Sequence, residues 1–83
     1  MDTRQHVYNI INGERDYQDK RWGGESHDKY KSVGDFLIYI DDYVRRAKEI
    51  YTSDTDVDAT LHVVRKIAAL AVACMEYNGA PPR

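Results

Sequence analysis

The chain has 83 residues, enough for one domain, with 12 basic and 14 acidic residues and a formal net charge of -2. The two signs are mixed along the chain, which argues against a nucleic-acid-binding arm and against a basic membrane-surface helix. A single cysteine excludes an intrachain disulfide. The first residues lack the apolar core of a secretory signal, and no apolar run is long enough to span a bilayer. We therefore expect a cytoplasmic protein without a membrane or nucleic-acid partner.

Apolar residues recur at helical spacing in three segments, and strand patterns are nearly absent, so the predicted fold class is all-α. The first segment predicts a helix over about residues 3–22. Asn12-Gly13 inside it either lies within one continuous helix or ends one helix and starts another. If the helix is continuous, one face carries Val7, Ile10, Ile11, Glu14, Tyr17 and Gln18. Gly23-Gly24 ends the segment, and a polar loop is predicted over 23–31.

The second predicted helix covers about residues 32–51. Ser32 is its expected N-cap, and Asp35 occupies the third helical position, as in a capping box. The third predicted helix covers about residues 55–77 and precedes a short Pro-containing tail over 79–83. Its second half is apolar on nearly every face and rich in alanine, so we expect a neighbouring molecule to cover it. The prediction is a single domain over 1–83, a three-helix unit completed to a helical bundle by a homo-oligomer, either a dimer or a tetramer.

Acidic side chains on the first two helices form one candidate site. Glu14, Asp35, Asp41 and Asp42 come from helices that are expected to pack together. Carboxylates that converge between helices bind Mg²⁺ or Mn²⁺, and the bound ion polarises a phosphoryl oxygen or activates water. The alternative is that these acids form a solvated helix face and a cap.

Cationic and aromatic side chains give a second set of candidates. Arg15 and Lys66 are placed to offset phosphate charge, although a lysine beside an apolar run also commonly extends its amine to solvent. Trp22 is a candidate stacking surface for a base, or else a cap on the end of the first helix. His27 precedes Asp28, a pair that orients an imidazole; the alternative is a surface histidine without a role.

The order of these residues resembles a known family. E-R-x-x-Q at Glu14–Gln18, the later Trp22, H-D at His27-Asp28 and Gly34 before a helix resemble the MazG-like phage dATP/dGTP diphosphohydrolase group. The closing run R-K-I-A-A-L-A-V-A-C-M-E at Arg65–Glu76 resembles the final helix of that group. The resemblance implies a phage or mobile-element protein, an all-α, oligomeric, Mg²⁺-dependent pyrophosphohydrolase that releases monophosphate and pyrophosphate from a (d)NTP.

The resemblance, which carries over to Glu14, Gln18, Asp35 and Lys66, and the residue patterns above together give candidate roles to residues of this chain. Glu14 and Asp35 are the candidate catalytic acids, and together with Asp42 they are the candidate metal ligands. The candidate nucleotide-binding residues are Arg15, Gln18, Trp22, His27 and Lys66. The chain lacks the E-E-x-x-E helix of wider MazG-like enzymes. The alternative function is therefore a non-catalytic nucleotide-binding or protein-interaction module on the same scaffold.

Overall fold

The computed structural model describes residues 1–83 and contains four helices and no strand. The helices are α1 (Arg4–Trp22), α2 (Glu25–Asp28), α3 (Val33–Asp54) and α4 (Val57–Asn78). The all-α prediction is confirmed, and the three long helices lie within three residues of their predicted bounds. The predicted loop over 23–31 is wrong in part, because it contains the single turn α2. None of the helices combines the length and hydrophobicity that crossing a bilayer requires.

Local hydrogen bonds fix the helix ends. Ser32 and Asp35 form the predicted capping box at the start of α3, in which the Ser32 side chain accepts from the Asp35 N–H and Asp35 accepts from the Ser32 N–H. Asp56 caps α4 by accepting from the Ala59 N–H. Thr55 ends α3 in a left-handed conformation with a φ of 52°. Only Thr55 and Asp56 separate the two helices, so α3 and α4 form an antiparallel hairpin.

Helix α4 lies at the centre of the fold, with α3 and α1 packed on it and few direct contacts between α1 and α3. The alanines of α4 allow the backbones of the neighbouring helices to approach it closely. Ala69, for example, is completely buried. Phe36 is the largest side chain that is fully buried. The apolar core consists of Phe36, Ala47, Ala69, Leu70 and Ala73.

Helix α1 is continuous through Asn12-Gly13, and its burial pattern agrees with the predicted face only at Glu14 and Gln18. Its buried residues are the polar side chains Glu14, Arg15 and Gln18. Val7, Ile10 and Tyr17 are each more than two fifths exposed. Helix α1 therefore packs on the core mainly through polar side chains, which periodicity of apolar residues does not detect.

We predict that Phe36→Ala destabilises the protein by about 3–5 kcal/mol, because it removes a buried aromatic ring from a small core. Ile38 is 69% exposed on the same helix, so Ile38→Ala serves as the control with an expected change within about 0.5 kcal/mol. Urea unfolding followed by circular dichroism measures both free energies of unfolding. Equal midpoints for the two variants would contradict the assignment of Phe36 to the core.

Candidate functional site

Two ion pairs attach α1 to α4. Glu14 Oε1 accepts a hydrogen bond from Arg65 Nε at 2.7 Å. The neighbouring Arg15 donates from Nε to Glu76 Oε1 at 2.9 Å and from a terminal nitrogen to Asp19 at 3.0 Å. The side chains of Glu14 and Arg15 are nearly inaccessible to solvent. These contacts determine which face of α1 points into the molecule.

The Arg15 guanidinium also orients Gln18. Burial alone would lower the pKa of Arg15, but hydrogen bonds and charge from Glu76 and Asp19 outweigh it and raise the pKa above its ordinary value. This permanent cation donates to Gln18 Oε1 at 3.3 Å. The Gln18 oxygen is therefore engaged, and its amide NH₂ is the group that remains for a ligand. Arg15 acts here as a positioning residue.

Gln18 lies on the wall of a cavity of about 430 Å³ that is bounded by all four helices; we call it the aromatic cavity. A cavity of this volume falls in the range that holds small ligands and cofactors. Its apolar floor comes from Phe36, Leu70 and Ala73, which belong to the core. Its lining residues are Gln18, Trp22, His27, Asp28, Lys31, Phe36, Tyr39, Asp42, Tyr43, Arg46, Leu70 and Ala73.

A glycine corner places α2 at this cavity. Gly23 and Gly24 have φ values of 91° and 57°, a region that residues with a side chain rarely adopt. The chain turns sharply there, so His27 lies beside Trp22 with ring centroids 6.4 Å apart and planes inclined by 29°. The sequence signal for this corner is the Gly-Gly pair directly after tryptophan.

Asp28 and Lys31 form a polar cluster with His27. Asp28 Oδ1 lies 2.8 Å from His27 Nδ1 and accepts from Lys31 Nζ at 2.9 Å. Burial alone would raise the pKa of Asp28, but the hydrogen bonds and charges of Lys31 and His27 lower it below its ordinary value. Asp28 is therefore a carboxylate at neutral pH, although it is buried. The structure shows hydrogen bonds to Oδ1 alone, so Oδ2 is free for a ligand.

Helix α3 supplies the opposite wall. Tyr39, Asp42, Tyr43 and Arg46 follow one another at spacings of three and one residues, so they share one side of the helix. The Arg46 guanidinium lies 4.9 Å from the centre of the Tyr43 ring, and Arg46 contacts Asp42 at 2.9 Å. Hydrogen bonding from Arg45 and the nearby Arg46 charge lower the pKa of Asp42, which is also ionised at neutral pH. This wall combines aromatic surface with both signs of charge.

A second cavity, of about 450 Å³, lies between α1 and α4. Its lining residues are Ile10, Gly13, Glu14, Tyr17, Arg65 and Lys66. Lys66 is half-buried here, but the only carboxylate in the lining, Glu14, is engaged by Arg65. This cavity is more open and has less aromatic surface than the first.

The structure brings four of the predicted site residues together: Gln18, Trp22, His27 and Asp42 all line the aromatic cavity. Glu14 and Lys66 line the other cavity instead. Arg15 lines neither, because its guanidinium is used between α1 and α4. Asp35 also lines neither cavity, because it is exposed at the α3 cap, where hydrogen bonds from Ser32 lower its pKa.

The structure does not bring Glu14, Asp35 and Asp42 together as one metal site, and no group of three or more His, Cys, Asp or Glu side chains is placed to hold a metal ion. Each of the three already has a local role, as an ion-pair partner or as a cap. Of these three acids only Asp42 lines the aromatic cavity, where it shares the lining with a second carboxylate, that of Asp28. Mg²⁺ often takes only one or two protein carboxylates and completes its coordination with water and substrate phosphate.

Sequence reasoning identified Asp42 on α3 but missed Tyr39, Tyr43 and Arg46, which line the cavity beside it. The available signal was that Tyr39, Tyr43 and Arg46 are spaced to lie along one side of α3. The position of these three residues opposite Trp22 depends on the direction in which the chain turns at Gly23-Gly24. The sequence predicts that a turn occurs there but not its direction.

Comparisons of the chain with protein-family models, with curated proteins and with solved structures found no match.

We predict that Glu76→Ala destabilises the protein by about 1–2 kcal/mol, because it leaves the buried Arg15 guanidinium short of a hydrogen-bond acceptor. The value lies at the lower end of the usual range because Glu76 itself is 46% exposed.

The control is Glu49→Ala, which removes an exposed ion pair with Arg45. We expect it to lower the free energy of unfolding by less than about 1 kcal/mol. Denaturant unfolding of both variants makes the comparison, and equal effects would show that the Arg15–Glu76 contact does not anchor α1.

Proposed function

We propose that the protein binds a nucleotide in the aromatic cavity. The observation that carries this proposal is the combination, around one cavity of ligand size, of aromatic rings with the cations Lys31 and Arg46. A nucleotide has a planar base that stacks on aromatic rings and phosphates that bind cations. The same combination does not occur in the second cavity, whose aromatic lining is Tyr17 alone.

The base has two candidate stacking surfaces. Trp22 on α1 and Tyr39 on α3 both line the cavity and are 42% and 44% exposed. Stacking of a base on an aromatic side chain contributes about 1–3 kcal/mol and tolerates any base. The free amide NH₂ of Gln18 is a hydrogen-bond donor in the same lining, and it supports recognition of a base carbonyl or a phosphate oxygen.

The charges of the cavity favour a nucleotide that arrives with a divalent cation. Lys31 and Arg46 are each in contact with a carboxylate, of Asp28 and Asp42 respectively. The four charges therefore cancel, and a free triphosphate would meet two carboxylates as well as two cations. A bound Mg²⁺ reduces the charge of the phosphates and gives the carboxylates a favourable partner. We infer that Mg²⁺ strengthens nucleotide binding.

The second candidate function is hydrolysis of the bound (d)NTP to monophosphate and pyrophosphate, as the MazG-like resemblance implies. The presence of two ionised carboxylates, Asp28 and Asp42, in one cavity favours it. These residues would hold Mg²⁺, with the Asp28 Oδ2 atom free for it. When bound, the ion supplies a Lewis acid for phosphoryl oxygens and lowers the pKa of bound water. Lys31 and Arg46 offset phosphate charge, and Gln18 positions an oxygen by its amide.

We predict that nucleotides with Mg²⁺ change the fluorescence of Trp22, which is the only tryptophan in the chain and therefore a specific reporter of this cavity. Arg46→Ala should weaken binding by about tenfold or more, because a hydrogen bond to a charged group contributes about 1.5–3 kcal/mol. Titrating each NTP and dNTP, with Mg²⁺ and without it, gives the dissociation constants.

Arg45→Ala is the matched control. Arg45 neighbours Arg46, contacts the same Asp42 and is similarly exposed, but it does not line the cavity. Its substitution should change the dissociation constant by less than about threefold, since Arg45 acts only through exposed ion pairs with Asp42 and Glu49. An unchanged Trp22 signal with every nucleotide, or equal weakening by both substitutions, would contradict the proposal.

We predict for the second candidate that the wild-type protein releases monophosphate and pyrophosphate in the presence of Mg²⁺ or Mn²⁺, and that Asp42→Asn abolishes the release. Glu49→Gln, an exposed carboxylate of the same helix outside the cavity, should retain it. Chromatography of the reaction products makes the measurement. Nucleotide-dependent quenching of Trp22 without any product would leave binding as the function and reject hydrolysis.

A further inference from the structure

Helix α4 exposes an apolar stripe on the side away from its buried residues. The spacing along the stripe alternates between four and three residues, which keeps one face aligned over five turns, as in a helix–helix seam. Val57, Leu61, Val64 and Met75 are between 44% and 56% exposed, and the two alanines between them are half-buried. The exposed α4 stripe consists of Val57, Leu61, Val64, Ala68, Ala71 and Met75.

The chain exposes more surface than a typical folded monomer of its mass. Its accessible surface is 6286 Å². A typical folded monomer of 9.6 kDa exposes about 5,100 Å², so this chain exposes about 1,200 Å² more than expected. A stable protein–protein interface buries about 800 Å² on each partner. The excess is thus large enough to form one complete interface.

We propose that a second copy of the chain covers this surface, with the two α4 helices packed antiparallel about a two-fold axis near Lys66. In this register Leu61 lies opposite the partner subunit's Ala71, and Val64 lies opposite the partner subunit's Ala68. Val57 lies opposite the partner subunit's Met75. Each large side chain thereby meets a small one in the middle of the stripe, which fills space without overpacking.

The alternative parallel arrangement fits the same stripe less well. It would place each alanine opposite its own copy and leave a gap at Ala68 and Ala71, while crowding Leu61 against its own copy. The antiparallel stripe is self-complementary, as a two-fold symmetric interface requires, because each contact occurs twice with the roles exchanged. This self-complementarity favours a second copy over an unrelated partner.

The proposed interface involves only one side of α4. Ala69 and Ala73 belong to the opposite side and are fully buried within the chain. Substitution of Ala69 therefore tests folding, while substitution of Leu61 tests association. The proposed dimer is independent of the proposed nucleotide binding, since none of the stripe residues lines the aromatic cavity.

Sedimentation equilibrium of the full chain tests the interface. We predict a dimer for the wild type and a particle of 9.6 kDa for Leu61→Glu, whose circular dichroism should stay helical because Leu61 is 56% exposed in the single chain. Tyr8→Glu on α1 is the matched control, since Tyr8 is also 56% exposed but lies outside the stripe, and it should remain dimeric. A monomeric wild type, or a dimer that persists in Leu61→Glu, would overturn the proposal.

Disulfide cross-linking tests the register. In a Cys74→Ser background, Val64→Cys and Ala68→Cys chains are prepared separately and mixed, with oxidised glutathione as the oxidant. The antiparallel register predicts efficient disulfides only between the two different chains, because a disulfide needs Cα atoms within about 7 Å. Efficient cross-linking of Ala68→Cys with itself would overturn the antiparallel arrangement.

Discussion

The attachment of α1 to α4 through the buried side chains of Glu14 and Arg15 determines where α1 lies, and with it the shape of the candidate site. Glu14 and Arg15 are neighbours in sequence, yet their partners Arg65 and Glu76 are three turns apart on α4. Two contacts of opposite polarity at separate points fix both the rotation and the position of α1. A buried ion pair adds little net stability compared with apolar packing, but an incorrect partner would leave a buried charge unpaired at considerable cost. The pairs therefore select one arrangement.

The consequence of that arrangement is the aromatic cavity. With Arg15 facing α4, Gln18 follows one turn later on the same side and Trp22 one turn after that. Gly23 and Gly24 then reverse the chain so that His27 and Asp28 also face the cavity. No carboxylate of this site comes from α1, because Glu14 is used for attachment. The acids that share the site lie on α2 and α3, where they are already paired with cations.

The parts of the fold that depend on local chemistry could be predicted from the sequence. Ser32 and Asp35 cap α3, and the long helices end near Gly23 and Asn78, because capping and chain reversal involve residues within four positions. The Glu14–Arg65 and Arg15–Glu76 pairs join residues that are 51 and 61 positions apart, and no local pattern in the sequence indicates them. The same carboxyl groups suit metal binding, capping or ion pairing, and only the tertiary arrangement distinguishes these roles. For this reason Asp35 was a reasonable candidate ligand by sequence, while its structural place is a cap.

The unusual composition of α4 follows from its central position. A helix packed on one side needs one apolar stripe. Helix α4 instead contacts α3 on one side, is paired through charges with α1 on another, and exposes an apolar stripe on a third side. Small side chains permit close packing within the chain, and in the proposed dimer they would leave space for the partner subunit's Leu61 and Val64. Because Leu70 and Ala73 serve the cavity while the exposed stripe lies on a different side, covering the stripe leaves the cavity open. A dimer built in this way would carry two separate cavities, each complete within one chain. Dissociation of the dimer would therefore change the stability of the protein but not the residues that contact a ligand.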